Sequence, residues 1–370
     1  MAGSGRGTDT GPALLREPVT AGMLSLLAAE RANVVFSPRV IAAALNVLRL
    51  GSRGGTEAEL SAALRPAPSG LAGSEPVRPD SAAVYAASTG VWVQAGVPVS
   101  DEFALAVRHQ ESAELRHLDF RNSPEPARAA INHAISRETR GLITEPVPRG
   151  AIRPDTRLAL TNVIYYKGLW SHPFPKRNTR DEPFYPDRDG RAGIPVRMMR
   201  HTLRAGYLRA DGYEAALLPY RDSALSFGIV LPAASPRDLW PLISGSGVHG
   251  LLADARPYEL TIALPRFRVE SSADLAAVLG RLGIGGAFGP AADFSGISPA
   301  EPLRVGFMAH SAYVDVDEEG TEAAAAVASG FTPIARRIAE LVVNRPFIFA
   351  IVDMESAATY FLGQVAYPGA

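Results

Sequence analysis

Two hydrophobic periods divide this chain, and their order constrains its fold more than any other feature. Helical spacing dominates the early part. Met23, Leu24, Leu26 and Leu27 share one helical face. Ile41, Leu45 and Leu48 share another, in a helix that starts at Pro38 after Ser37 and ends near Gly51. Thr56 followed by Glu59 reads as a capping box for a further short helix. Residues 65–80, rich in Pro, Gly and Ser, read as a loop. Ala130–Ile143 keeps helical spacing through Ile131, Ile135 and Leu142. Strand patterns dominate later. Ala86–Val93 carries Trp92, the short apolar segment Asn33–Pro38 precedes the second helix, and Leu158–Tyr166 is almost continuously apolar, as a strand buried on both faces would be. Ala224–Pro232, Tyr258–Val269 and Ala312–Glu318 follow. The last alternates Ala312, Val314 and Val316 against Tyr313, Asp315 and Asp317. Phe347–Val352 and Tyr360–Val365 complete the set. Helices early and strands late, without a strand–helix–strand rhythm, place the chain in the α+β class.

Composition narrows the function classes. With 37 Lys and Arg against 38 Asp and Glu, the net charge is -1, so neither nucleic acid nor an anionic membrane is an expected partner. There is no cysteine, which excludes disulfides, thiol catalysis and cysteine-bound metals. The seven histidines are scattered at His109, His117, His133, His172, His201, His249 and His310, so no metal and no cofactor is expected. GIGGAFG at 283–289 follows a helix-like stretch and lacks the strand that a dinucleotide site needs. There is no GxSxG nucleophile elbow and no HExxH metal motif. An enzyme is therefore not expected. No apolar run approaches the roughly 20 residues of a membrane span. Residues 1–17 read as a loose tail, and 18–370 as one domain. Met1–Pro12 lacks the basic and apolar segments of a signal peptide, so a cytoplasmic location is expected, with an extracellular one left open.

One segment asks for a special explanation. Residues 318–337 read EEGTEAAAAVASGFTPIARR, directly after the strongest alternating strand. A surface helix capped by Thr321 is one reading, because alanine favours helices. A hinge is the other. Small side chains can enter a gap between packed strands where a bulky or charged one would meet a close-packed core. Gly320 would then supply backbone freedom, and the residues beyond would form an exposed, protease-sensitive loop.

At this segment the chain resembles the serpin family, and the resemblance extends over roughly residues 20–368. DEEGTEAAAA at 317–326 is similar to the proximal hinge of an inhibitory member. NVVFSPRVIAAALNVLRLGSRGGTEAEL at 33–60 resembles the early strand, buried helix and following loop. INHAISRETRGLI at 131–143 resembles the helix that lies across the main sheet, and TNVIYYKGLWSHPF at 161–174 the main-sheet strand running to its upper end. LRVGFMAH at 303–310 and NRPFIFAIVDMESAATYFLGQVAYP at 344–368 resemble the approach to the hinge and the closing strands.

The resemblance implies a monomer with helices around a mainly antiparallel five-stranded sheet, smaller sheets and an exposed bait loop, 327–340, following the hinge at 317–326. It implies inhibition of a serine protease as a suicide substrate: cleavage of the bait, an acyl-enzyme, and insertion of the loop as a sixth strand. Thr321 would be the first buried side chain, followed by Ala323 and Ala325 on the same face. Ser37, Asn162 and His310 fall at the shutter beneath the opening strands, although a helix cap, a strand-end amide and a core histidine would serve in any fold. Trp170 matches the breach, where insertion begins. Glu318 sits at the hinge base, with Lys167 a candidate partner. Two loop counts put the scissile residue at Ile334 or Ala335, which suits an elastase-like or subtilisin-like target; Arg336 would instead suit a trypsin-like one. Val327 departs from the small polar residue that inhibitory members often carry there. A non-inhibitory binding, storage or chaperone protein of the same family is the alternative, and the alanine run argues against it.

Overall fold

The computed structural model describes residues 13–67, 84–110, 113–186, 193–321 and 337–369. Its centre is the helix Pro38–Gly51. Ser37 stays extended and its hydroxyl accepts the Val40 N–H at 3.1 Å, which caps the helix, while Pro38 stands where no N–H is needed. Val40, Ile41, Ala44, Leu45, Val47 and Leu48 are all buried, so this helix is covered all round and acts as a core element. Helix Gly54–Ala63 follows, but without the expected capping box. Thr56 lies inside its first turn and accepts the Asp293 N–H at 3.0 Å. The Glu59 carboxylate takes the N–H groups of Gly285 and Gly286 at 2.6 and 3.0 Å. The glycine-rich 283–289 segment is thus a nest for an internal carboxylate.

The main sheet runs in the order Phe267–Asp274, Val305–Val316, Leu158–Leu169, Val84–Gln94, Ala113–Leu118, with the two-residue strand Gly320–Thr321 added to the end of Leu158–Leu169. Five long strands match the expectation. The pairs Val305–Val316 with Leu158–Leu169 and Val84–Gln94 with Ala113–Leu118 are parallel, so the sheet is mixed. Between Leu169 and Val305 the chain crosses the other sheet and forms the edge strand Phe267–Asp274, a connection long enough to allow parallel pairing.

The other strands form further sheets. Apart from the pair Ala13–Leu15 with Leu64–Pro66, which uses part of the expected tail, they join one nine-stranded sheet. The expected strand Tyr258–Val269 is in fact two. Pro265 ends Arg256–Pro265 in the nine-stranded sheet, and Phe267–Asp274 begins the edge of the main sheet, so Arg266 is the corner between them.

Three apolar clusters hold these layers. One joins Pro38–Gly51 to the other early helices, and a second lies between the two sheets around Val35, Ile164, Phe227, Ala312 and Phe349. The third packs helix Pro124–Glu138 across the outer face of the main sheet, with Ile131 and Ile135 among Val163, Tyr165 and Tyr313. That helix starts earlier than the spacing suggested, and it stops where Arg140 and Gly141 take positive φ. Its cover explains why Tyr313, on the expected polar side of its strand, is buried. Among the described residues no helix is long and apolar enough to cross a membrane.

Candidate functional site: the mouth and seam of the main sheet

The strand Leu158–Leu169 leads into Trp170, which is 1% exposed. Its ring stacks on Tyr220 at 4.9 Å between centroids, with Phe174 and Phe227 edge-on. The indole N–H donates to the Asp317 carbonyl at 2.9 Å. The Trp170 backbone N–H donates to the Glu319 carbonyl at 3.0 Å, and that of Phe174 to the Glu318 carbonyl at 2.7 Å. Trp170 therefore does more than fill the core: it and its neighbour hold three successive hinge carbonyls at the mouth of the sheet.

Asp317 closes the turn before the hinge. Its carboxylate accepts the N–H groups of Glu319 and Gly320 at 2.9 and 3.2 Å. Burial raises its pKa against the pull of those donors and of Arg266. Glu318 is 4% exposed. Lys167 is not its partner. The Arg266 guanidinium lies 3.6 Å from one carboxylate oxygen, and the Thr179 hydroxyl donates to the other at 2.7 Å. Lys167 sits farther down its strand, opposite Val84, whereas the corner at Arg266 lies beside the hinge base. Lys176 pairs with the next residue, Glu319, and that hydrogen bond raises the lysine pKa.

Gly320 and Thr321 pair antiparallel with Leu169 and Gly168. These two residues of the expected hinge thus already extend the sheet. Gly320 is required for close approach rather than for a turn. A Cβ there would lie 2.0 Å from the Gly168 carbonyl oxygen and 2.8 Å from the Leu169 Cα, both backbone atoms that cannot swing aside. Thr321 is 1% exposed, and its hydroxyl lies 2.7 Å from the Tyr220 hydroxyl. Burial pushes the Tyr220 phenol well above its usual pKa, so it stays a neutral hydrogen-bonding group.

Lower down, Ser37, Asn162 and His310, the residues expected at the shutter, lie at the parallel seam. His310 stands opposite Asn162 in register, and its Nε2 accepts the Ser37 backbone N–H at 3.0 Å. Neutral imidazole with Nε2 as acceptor carries its proton on Nδ1. Burial alone pushes the His310 pKa down to about 3. The Asn162 amide atoms and His310 Nδ1 are buried without hydrogen-bond partners among the described residues. Around them Ser271 accepts the Val35 N–H at 3.0 Å, and Ser272 and Ser311 share a hydrogen bond at 2.9 Å.

The expected Ala323, Ala325, Ile334, Ala335 and Arg336 lie outside the described residues. The chain returns at Arg337, whose carbonyl accepts the Glu259 N–H at 2.9 Å. Ile338–Val342 then pairs in parallel with Arg256–Pro265. Residues 338–340, expected at the end of the bait, are thus an edge strand, with Ile338 exposed. Tyr220, Arg266 and Thr179 were not anticipated from the sequence. Their partners lie far along the chain, and no local spacing marks them.

A family model described as Serpin (serine protease inhibitor) matches residues 19–368. The chain belongs to the serpin family. It is 31% identical over 353 residues to a leukocyte elastase inhibitor from Sus scrofa, covering 91% of this chain and 93% of the relative. It is 30% identical over 362 residues to an uncharacterized serpin-like protein from Methanosarcina acetivorans, covering 94% and 84%. Among solved structures, uncleaved ovalbumin superposes with a TM-score of 0.82 at 21% identity, covering 95% of this chain and 98% of ovalbumin. Serpin48 of Tenebrio molitor superposes with a TM-score of 0.79 at 26% identity, covering 95% and 96%. The fold is the metastable serpin fold, and protease inhibition is the general activity that the family and these relatives support.

Proposed function

We propose that this serpin is a suicide-substrate inhibitor of serine proteases, with an elastase-like or subtilisin-like target. The observation that carries the reading is the docked hinge. Gly320–Thr321 already extends the sheet at the mouth of a parallel seam, and Ala323–Ala326 follow after Glu322. The protease serine attacks the carbonyl of Ile334 or Ala335, the peptide C–N bond breaks, and the new amine leaves on the C-terminal side. The N-terminal side remains as an ester on the enzyme. Release of that strand end frees the loop to enter between Leu158–Leu169 and Val305–Val316. Backbone pairing and apolar burial drive the entry, a release of stored strain. Insertion competes with ester hydrolysis, and each 1.4 kcal/mol of barrier shifts the outcome about tenfold.

The leukocyte elastase inhibitor relatives and the small apolar Pro333, Ile334 and Ala335 both favour an elastase-like pocket. The test is reaction with elastase-like, subtilisin-like and trypsin-like enzymes, followed by denaturing gels and mapping of the cut. A detergent-stable complex is expected, with a released peptide of about 35 residues beginning at Ala335 or Arg336. Thr321→Arg puts a charge at the buried place that Thr321 already occupies, so it should undock the hinge and is expected to leave only cleaved inhibitor. A cut after Arg336 would move the target class to trypsin-like. Bait cleavage without a rise in melting temperature would identify a non-inhibitory serpin instead.

A further inference from the structure

We infer that Tyr220 is a positioning residue for loop insertion: its hydroxyl docks Thr321 before cleavage and fixes the register in which the rest of the loop enters. The inference rests on the inhibitory reading above and adds a residue to it.

Tyr220 is 2% exposed and held on every side. Its ring lies between Trp170, stacked at 4.9 Å, and Tyr166, edge-on at 5.0 Å. Its backbone N–H donates to Leu225 at 3.1 Å, across a turn in which Asp222 has φ 54°. The same turn is tied to the strand that receives the loop. Arg221 N–H donates to the Leu169 carbonyl at 2.7 Å, and Ser171 N–H to the Pro219 carbonyl at 3.0 Å. The phenol oxygen therefore cannot drift relative to Gly168 and Leu169, which pair with the hinge.

That fixed oxygen sits among apolar side chains of the inter-sheet cluster. Its one hydrogen-bond partner among the described residues is Thr321, at 2.7 Å. A buried phenol without a partner is costly, so the site selects a hydroxyl at this place in the hinge. Gly320 and Glu322 flank Thr321, and neither has one. A one-residue slip would bring to the phenol either Gly320, which leaves it unpaired, or Glu322, which buries a charge in the core. It would also reverse the facing of every later side chain. With Thr321 docked, Ala323 and Ala325 are assigned to the same inward face before the loop moves. Docking also completes the first pairing step ahead of cleavage, which favours insertion in its race with hydrolysis.

The experiment is a double-mutant cycle with Tyr220→Phe, Thr321→Val and both together, and with Thr321→Ser as the conservative control. Two readouts are taken on the full chain. The first is hydrogen exchange of the backbone amides of 168–170 and 319–321 in the uncleaved protein. The second is the ratio of complexed to merely cleaved inhibitor with a serine elastase. Tyr220→Phe and Thr321→Val should each speed exchange at these amides and shift the ratio about fivefold toward cleaved inhibitor. The double variant should be no worse than either single one, because both remove one shared bond. Thr321→Ser should behave as wild type. Wild-type exchange and ratio in Tyr220→Phe, or additive effects in the double variant, would overturn the inference. The exchange readout needs no protease. If wild type traps no enzyme, the inhibitory reading fails, and exchange alone decides whether Tyr220 docks the hinge.

Discussion

Acidification should attack the closed sheet through His310. The ring is fully buried and accepts the Ser37 N–H, so protonating Nε2 would set a donor against a donor as well as place a charge in the core. Burial holds the folded pKa at about 3, against 6.5 for the free side chain. Below pH 6.5 the unfolded chain binds a proton that the folded chain refuses. The unfolded state then carries more bound protons, so stability rises with pH across this window. The contribution is fully present above about 6.5 and is lost as pH falls toward 3. At pH 5 the loss is about 2 kcal/mol from this residue alone. The His201 and His249 pKa values are also lowered by burial and act in the same direction, so wild type alone does not isolate the effect. The measurement is the unfolding midpoint of wild type and His310→Gln from pH 7.5 to 4.5, at a fixed scan rate. The variant should start less stable, having lost the Ser37 contact, yet fall less steeply with acid. Parallel curves for the two proteins would refute the assignment of the acid sensitivity to His310.

Two further changes probe the mouth. Gly320→Ala places a Cβ 2.0 Å from the Gly168 carbonyl oxygen, so the hinge strand should detach; amide exchange at 168–169 should rise and the yield of covalent complex should drop. Arg266→Ala leaves the 4% exposed Glu318 with only the Thr179 hydroxyl. Because Arg266 is itself 46% exposed and 3.6 Å away, the expected loss is about 1–2 kcal/mol rather than that of a fully buried pair. A melting temperature equal to that of wild type would count against the pairing.

Much of this architecture is legible in short stretches of sequence because short-range physics sets it. Ser37 before Pro38 announces a capped helix, and the apolar run at Leu158–Tyr166 announces a strand covered on both sides. Ala312–Glu318 is recognisable as a strand, but its period two cannot show that helix Pro124–Glu138 covers the outer face and buries Tyr313. Pro265 was the one local sign that Tyr258–Val269 is two strands. Other features had no local signal. Glu59 and Gly285 meet across 226 residues, and Thr321 and Tyr220 across 101. Arg266 took the role expected of Lys167 because a corner between two sheets, not sequence proximity, carried it to Glu318. The need for glycine at position 320 was legible, but its reason was not: the close approach exists only once Gly168 is opposite.

The two faces of the seam explain why the hinge composition has to be what it is. Ile164 and Ala312 point into the cluster between the sheets, while Val163, Tyr165 and Tyr313 point toward helix Pro124–Glu138. Thr321 meets Tyr220, a member of the inter-sheet cluster, so the inward face of an entering loop is the face of Thr321. On the proposed insertion, period two would turn positions 323 and 325 into that closed cluster and positions 322, 324 and 326 toward the helix. Alanine at the inward positions adds little volume to an interior that has little to give. In the proposed insertion Glu322 would fall on the other face, beneath a helix held by the Asn132 amide, which donates to the Val147 carbonyl at 3.0 Å and accepts its N–H at 3.0 Å. Its carboxylate can be accommodated there only if that helix lifts or water enters below it. On the proposed insertion the barrier would therefore be divided: small inward residues would keep it low on the side of the second sheet, and the clamped helix would raise it on the other.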